Sequence, residues 1–425
     1  MKNYLKKPNT FFKNSLRLAW FLALRRIKRS GKWATILIIF VMTLTFLNLA
    51  FVSGILSGLV EGSSLAYRQQ YSGDILLSTY ESKNYIEKSS SVMGTLKSFR
   101  ETKNIAPRIL AGAMVEANYK NKTSKNDNPD SLSAVIAGID PIMEDKVTHL
   151  RDLVIAGEYL SPNDRDSVLV GSNLLSKYSR DIPGDETLFD VDVGDKIRIK
   201  ISGTTEELII KGVIRSKVAE IGQRIYVNDS YLNKLINRPN QNVNEIAVML
   251  TEGTDPYVVK NKLKNTQVCD CAKIETWEES QGQFFKDISK TFGLLALIIG
   301  AIGVAIASIT VFIVIFINAI TRRRFIGILK GLGVCGSAIE FSYIIQSLFY
   351  SILGSFFGVI ILFGFLKPYI AKNPIDFPFS DGILVAPLDV TLIRIIVLIS
   401  VTIFAGYIPA KIIVKKNTLD SILGR

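Results

Sequence analysis

Four apolar blocks limit what this chain can fold into. Residues 33–59, 292–320 and 341–366 contain no Asp, Glu, Lys or Arg, and residues 388–409 contain only Asp389 and Arg394. A helix needs roughly 20 apolar residues to cross about 30 Å of hydrocarbon. Each block meets that length, and helices of soluble cores are rarely so long without a charge. The fold class read from this is an integral membrane α-helical protein with four transmembrane helices. The first block is not read as a cleaved signal, because it is too long and 32 residues precede it.

Charge orients the blocks. Residues 1–32 carry ten Lys and Arg and no acid. Residues 321–340 carry Arg322, Arg323, Arg324 and Lys330, with no acid before Glu340. The tail, 410–425, carries Lys411, Lys415, Lys416 and Arg425 against Asp420 alone. Residues 367–389 hold two bases and three acids. Short basic segments stay in the cytoplasm. Both termini and residues 321–340 are therefore expected inside, and the loop 367–387 and the large segment 60–291 outside. That segment holds 30 bases and 33 acids. The net charge of +13 thus belongs to membrane topology, and it gives no footing to nucleic-acid binding. The expected location is the inner (cytoplasmic) membrane, in contact with membrane lipids.

Residues 9–29 read NTFFKNSLRLAWFLALRRIKR. Phe12, Leu16, Trp20, Ala23 and Ile27 fall at helical steps and the bases fall elsewhere, which predicts a basic amphipathic helix in residues 1–32 lying in the inner headgroup layer. Residues 60–291 read as α+β, long enough for a core of their own or for two lobes. Strand patterns occupy 74–78, 109–119, 132–139, 208–214, 224–227 and 245–250, with a strand, turn and helix over 167–178. Period-two alternation over 190–201 predicts a hairpin about Gly194-Asp195. Residues 118–131 are polar and predict a loop or hairpin tip, and 229–236 and 256–263 predict short helices. Residues 277–320 contain no proline, so one helix of about 66 Å is expected. Trp277, Phe284, Phe285 and Ile288 would form the apolar face of its external stalk. Small residues recur four apart at Gly54/Gly58, Gly303/Ala307 and Gly354/Gly358, a spacing that lets helices approach closely in lipid. Glu340 and Arg394 lie where each can snorkel to a headgroup layer.

Three cysteines make no disulfide framework. Cys335 falls inside. Cys269 and Cys271 are two apart, which strains a bridge and leaves a metal half-site without a second pair. The one histidine, His149, is surrounded by polar residues, and Asp190, Asp192 and Asp195 flank a turn. No nucleophile elbow or metal-ligand cluster is present, so catalysis, bound metal and bound cofactor are not expected of this chain.

The most informative stretch is 321–336, TRRRFIGILKGLGVCG. The arginines anchor the second span at the cytoplasmic surface. Phe325, Ile328, Leu329 and Leu332 form one face of a helix too short to span, ended by Gly331, Gly333 and Gly336. An apolar face in that place predicts a partner surface.

Here the chain resembles the MacB/FtsX-like permeases of ABC transporters, including the lipoprotein-releasing permeases. The family pattern at this elbow is close to R-E-I-G-I-L-K-A-L-G, and this sequence has Arg324, Phe325, Ile326, Gly327, Ile328, Leu329, Lys330, Gly331, Leu332 and Gly333. Phe325 replaces the family's acid and Gly331 its alanine. Pro409-Ala410-Lys411 with Leu419–Leu423, Val193 to Ile197 and Gly138 to Pro141 are similar to further family phrases. The order of one span, a large external domain and three spans covers the whole chain.

The resemblance implies a MacB-like periplasmic core domain and a four-span permease that conducts nothing through its spans. A cytoplasmic ATPase dimer, holding ATP and Mg, would bind two permeases at residues 322–333. The second permease would be another copy or a paralogue. The stalks would carry elbow movement to the external domain, driving export or extraction of a lipoprotein, lipid, peptide or drug. No G-x-x-x-x-G-K-[ST] phosphate loop is present, so the ATPase would be another polypeptide. The alternative is a regulator that activates a cell-wall hydrolase or signals envelope state, with an adaptor or hydrolase outside.

Overall fold

The computed structural model describes residues 8–29, 32–119, 130–179, 187–238, 240–266, 271–377 and 380–415. Cys269, the residues from 416 onward and most of the polar loop at 118–131 lie outside the described residues. The chain forms two compact units. One comprises Met1–Leu59, Ser289–Ile375 and Gly382–Arg425; the other comprises Val60–Ile288 and Asp376–Asp381.

Four helices are long and apolar enough to cross a membrane: Thr35–Ser72, Phe285–Thr321, Gly336–Lys372 and Leu388–Lys415. This is a multi-pass membrane protein. The first helix continues past residue 59 to Ser72, the third begins at Gly336 and so includes Glu340, and the fourth runs through Pro409 to Lys415. Proline is tolerated in a membrane helix because neighbouring groups satisfy the freed carbonyl, and Pro409 is itself buried. The single helix expected over 277–320 is interrupted. A short helix, Trp277–Ser280, ends before Gly282, whose φ of +76° only glycine adopts without strain, and a new helix, Gly282–Thr321, follows.

Small residues set the packing of the membrane unit. A Cβ added at Gly354 would lie 2.3 Å from Met42 Cβ of the first span, and one at Gly358 would lie 2.3 Å from Phe46 Cδ1. Gly303 faces Asn48, and Ala307 is buried beside it in the second span. Gly54 and Gly58 do not meet a helix. Their partner is the non-helical segment 383–385 that leads into the fourth span.

The helix Pro8–Arg29 packs on the third span through Ala19, Leu22, Ala23 and Arg26, while Leu16 and Trp20 are exposed. The buried face is therefore turned from the expected stripe. Close helix contact in lipid favours alanine, and the bulky apolar residues are left for the surroundings. The side chain of Phe12 and those of Phe284 and Ala34 lie outside the described residues.

The second unit is built on a ten-stranded sheet: β1 Ile75–Ser78, β2 Thr102–Ala117, β3 Asp130–Ile139, β4 Val154–Gly157, β5 Ser167–Gly171, β6 Lys196–Ile201, β7 Thr204–Ile214, β8 Arg224–Asn228, β9 Glu245–Leu250 and β10 Lys273–Thr276. The order is β10-β1-β9-β2-β3-β8-β5-β7-β4, and β6 pairs with both β2 and β7. That double pairing closes a six-stranded ring, β2-β3-β8-β5-β7-β6. Alternate side chains fill its interior, among them Val115, Ala117, Ile136, Ile197, Ile199, Val168, Ile210 and Ile225. The limb β2-β9-β1-β10 stays open and is covered by helices Ser89–Ser98 and Pro256–Lys264 through Val92, Leu96, Val259 and Leu263. The other sheet face packs beneath helix Pro141–Thr148 through Val147, Leu76, Ala106 and Ala247. The domain is α+β, and its two lobes share the long strand β2.

The expected hairpin at Gly194-Asp195 is displaced. The turn lies at Ser202-Gly203, with φ of 47° and 84°, and pairs Ile201 with Thr204. Positive φ at both positions matches the twist of the flanking strands. Residues 190–195 form no strand, because the Asp195 carboxylate accepts the Asp192 N–H at 2.8 Å and draws the backbone into a turn.

Replacing Gly354 with leucine should lower the thermal stability of the detergent-solubilised protein by about 1–3 kcal/mol, the usual cost of overpacking. Gly364→Leu, in the same helix but with open space around it, is the control. Equal melting temperatures for the two variants would contradict the packing described.

Candidate coupling elbow and stalk junction

The elbow is a short helix, Arg323–Gly331, that follows Arg322 and ends at Leu332 and Gly333. Gly333 has φ +89°, which turns the chain toward the third span. Ile326 and Gly327 are buried, and Leu329 and Val334 pack against the membrane core. Lys330 Nζ donates to the Val414 carbonyl at 2.9 Å, near the end of the fourth span. A cation suits that place, since the last carbonyls of a helix have no partner within it. These contacts hold one face. The other presents Phe325, Ile328 and Leu332, of which Leu332 is 77% exposed. Leu329, expected on the outer face, is partly buried. The sequence period placed it correctly on the helix but could not show which edge of the stripe the bundle covers. Arg324 is exposed, and Arg322 and Arg323 are half-buried.

The expected stalk residues all fall in the second unit. Trp277 is partly buried, its N–H donates to the Asp74 carbonyl at 3.1 Å, and the Arg68 guanidinium lies 5.6 Å from its ring centroid. Tyr67 Oη donates to the Ser280 carbonyl at 3.0 Å. Thr276 and Glu279 form a reciprocal capping box at the start of Trp277–Ser280. The end of the first long helix is thus fastened to the short helix that precedes Gly282. Phe285 and Ile288 are partly buried in the helix beyond.

Above this junction lies a buried charge network that sequence spacing did not suggest. Arg108 of β2 binds Glu144 through Nε at 3.1 and 3.0 Å and through Nη2 at 2.7 Å. Its Nη2 also donates to the Tyr71 carbonyl at 2.7 Å, and its Nη1 to Glu245 at 3.3 Å. Arg224 of β8 binds both oxygens of Glu245, at 3.1 and 3.0 Å, and Tyr71 Oη donates to Glu245 at 2.8 Å. Burial alone would raise the Glu245 pKa, but Arg224 and Arg108 prevail and hold it at about 2. Burial pushes the Tyr71 phenol up. The network joins the end of the first helix to three strands and to helix Pro141–Thr148.

Asp192 is held by Lys177 and Tyr178, which lower its pKa to about 2. His149 is exposed, and Cys271 and Cys335 are half-buried. Among the described residues, no group of three His, Cys, Asp or Glu side chains could hold a metal ion.

Residues 288–418 match the family model described as FtsX-like permease C-terminal. The matched segment contains the second to fourth spans and the elbow. No curated protein matches the chain. Among solved structures, it is similar to the periplasmic region of MacB from Actinobacillus actinomycetemcomitans, at 13% identity over 49% of this chain and 89% of that one, with a TM-score of 0.34. It is also similar to the extracellular domain of the ABC-type transporter YknZ from Gram-positive bacteria, at 11% identity over 48% of this chain and 99% of that one, with a TM-score of 0.31.

Arg108→Met should destabilise the external domain by about 3–5 kcal/mol, because it leaves Glu144 buried without its cation. Loss of resistance to limited proteolysis within residues 60–291 would report it. Acid should act through Glu245. Its folded pKa of about 2 lies below the ordinary 4.5, so its contribution is complete above pH 4.5 and lost as pH falls toward 2. An acid titration of domain unfolding should be flat from neutrality to about pH 4.5 and then fall. A transition near pH 6 would assign the stability to other groups.

Proposed function

We propose that this chain is the permease subunit of an ABC transporter whose ATPase is a separate cytoplasmic protein. The observation that carries this reading is the elbow. Its helix is anchored on one side by Ile326, Gly327 and Lys330, and it leaves Phe325, Ile328 and Leu332 exposed between the second and third spans. An apolar face held this firmly is suited to dock into a groove of a partner. Phe325 stands where related elbows carry an acid, so the contact here rests on apolar burial more than on charge. The basic residues of 1–32, 321–340 and 410–425 support a topology with both termini and the elbow in the cytoplasm and residues 60–291 outside.

In this reading, two permeases sit on an ATPase dimer, and ATP and Mg remain in that dimer. ATP binding draws the elbows together. The helices Thr35–Ser72 and Gly282–Thr321 pass the movement to the external domain, which expels or extracts a substrate of the lipoprotein, lipid, peptide or drug kind. The chain itself performs no chemistry.

Co-expression with the ATPase and affinity purification tests the assignment. Phe325→Asp and Leu332→Asp each place an unpaired charge in the docking face and should weaken ATPase retention by about tenfold or more. Leu329→Asp is a poorer probe, because Leu329 also packs on the bundle. Retention equal to wild type in the double variant, with normal membrane insertion, would remove the elbow from this role.

A further inference from the structure

The membrane unit contains a cationic site that neither the family match nor the elbow reading uses. Arg26, on the helix Pro8–Arg29, is 93% buried, with only 7% of its surface exposed. Its Nη1 donates to Ser342 Oγ at 3.0 Å, and its guanidinium lies 4.0 Å from the Tyr343 ring centroid. Its Nε and Nη2 are buried without a hydrogen-bond partner, as are the Tyr343 hydroxyl and Gln346 Oε1. These groups, with Asn318 and Arg322, line a narrow cavity of about 10 Å³. No carboxylate lines it. Burial and, to a smaller extent, the nearby Arg322 pull the Arg26 pKa below its ordinary value.

Two guanidinium groups therefore face one small space with no counter-charge in the lining. A buried donor without a partner is costly, and a buried cation without an anion more so. A water molecule could accept a hydrogen bond there but would leave the charge uncompensated. A phosphate oxygen meets both needs: it is anionic, it accepts several N–H donors, and one such oxygen fits a cavity of this size. The tetrahedral remainder of the group would stay at the mouth.

We infer that Arg26 and Arg322, with Tyr343 and Asn318, bind the phosphate of an anionic phospholipid in the leaflet on the elbow side of the membrane. A lipid is favoured over free phosphate by the residues around the site. Trp20, Phe21 and Leu24 are exposed on the same helix as Arg26 and offer apolar surface where acyl chains would run. Basic residues beside a membrane attract anionic headgroups, and Arg322 immediately precedes the elbow helix. Occupancy would fasten the N-terminal helix, the end of the second span and the third span together at the base of the elbow.

The test uses the purified full-length chain, delipidated in a neutral detergent. Thermal unfolding is followed with phosphatidylglycerol, with inorganic phosphate, or with diacylglycerol of the same acyl chains, and native mass spectrometry counts the lipid retained. Phosphatidylglycerol should raise the melting temperature and diacylglycerol should not. Arg322→Gln should weaken the phosphatidylglycerol effect by about fivefold, the factor expected for one basic group at an anionic surface. Arg26→Met should abolish it. Should Arg26→Met fail to fold, Arg322→Gln decides, since Arg322 is only half-buried. An equal shift with inorganic phosphate supports the anion site and overturns the lipid as its source. An unchanged phosphatidylglycerol response in Arg322→Gln, an equal response to diacylglycerol, or no response to either phosphate compound overturns the site. None of these outcomes depends on an ATPase.

Discussion

Hydrocarbon supplies no hydrogen-bond partner, and the membrane unit is arranged around that fact. Every span is helical along its apolar length, so its backbone groups are satisfied within the segment. At one change of helix pattern a side chain adds a further bond to the backbone. The first span has a π-helical turn at Asn48–Val52, and Arg394 of the fourth span donates to the Ala50 carbonyl there at 3.4 Å. An arginine that sequence alone would send to the headgroup layer thus also serves the backbone of a neighbouring helix. Lipid gives helices no hydrophobic reason to associate, so contact depends on shape. Gly354 and Gly358 supply it by letting the first span approach without an intervening side chain.

The second unit solves a different problem in water. Its ring of six strands leaves few free edges, and its interior is filled by branched aliphatic residues. The charged cluster of Arg108, Glu144, Arg224 and Glu245 lies on the opposite sheet face. Such a cluster contributes little net stability compared with an apolar core. It does enforce one arrangement, because each oxygen and N–H requires its partner. The Tyr71 main chain and hydroxyl both enter it, so the end of the first helix has a defined place against β2, β8 and β9.

Much of this was legible in the sequence, for identifiable reasons. The spans were readable because twenty or more apolar residues have one common use. The strands of β3, β8 and β9 were readable from alternation and β-branched residues. The elbow was readable from a short apolar pattern behind three arginines. The break at Gly282 was not, since a lone glycine in a helical pattern looks the same whether it bends or continues. The Ser202-Gly203 turn lost to Gly194-Asp195 because both carry turn residues, and only the Asp195 side-chain bond distinguishes them. The Arg108 cluster joins positions up to 174 residues apart and leaves no local signature. The buried face of Pro8–Arg29 was misjudged because hydrophobicity marks the lipid-facing side of such a helix as strongly as its packed side. Closure of the barrel depends on β6 meeting two partners, which no single segment records.

The bond from Lys330 to the Val414 carbonyl has a mechanical meaning. A connector held only by its two flanking helices would behave as a hinge, free to swing without disturbing the rest. This one is braced at a third point, on the helix that ends the described chain. A force applied there would be shared by three membrane helices at once, as at the apex of a tripod.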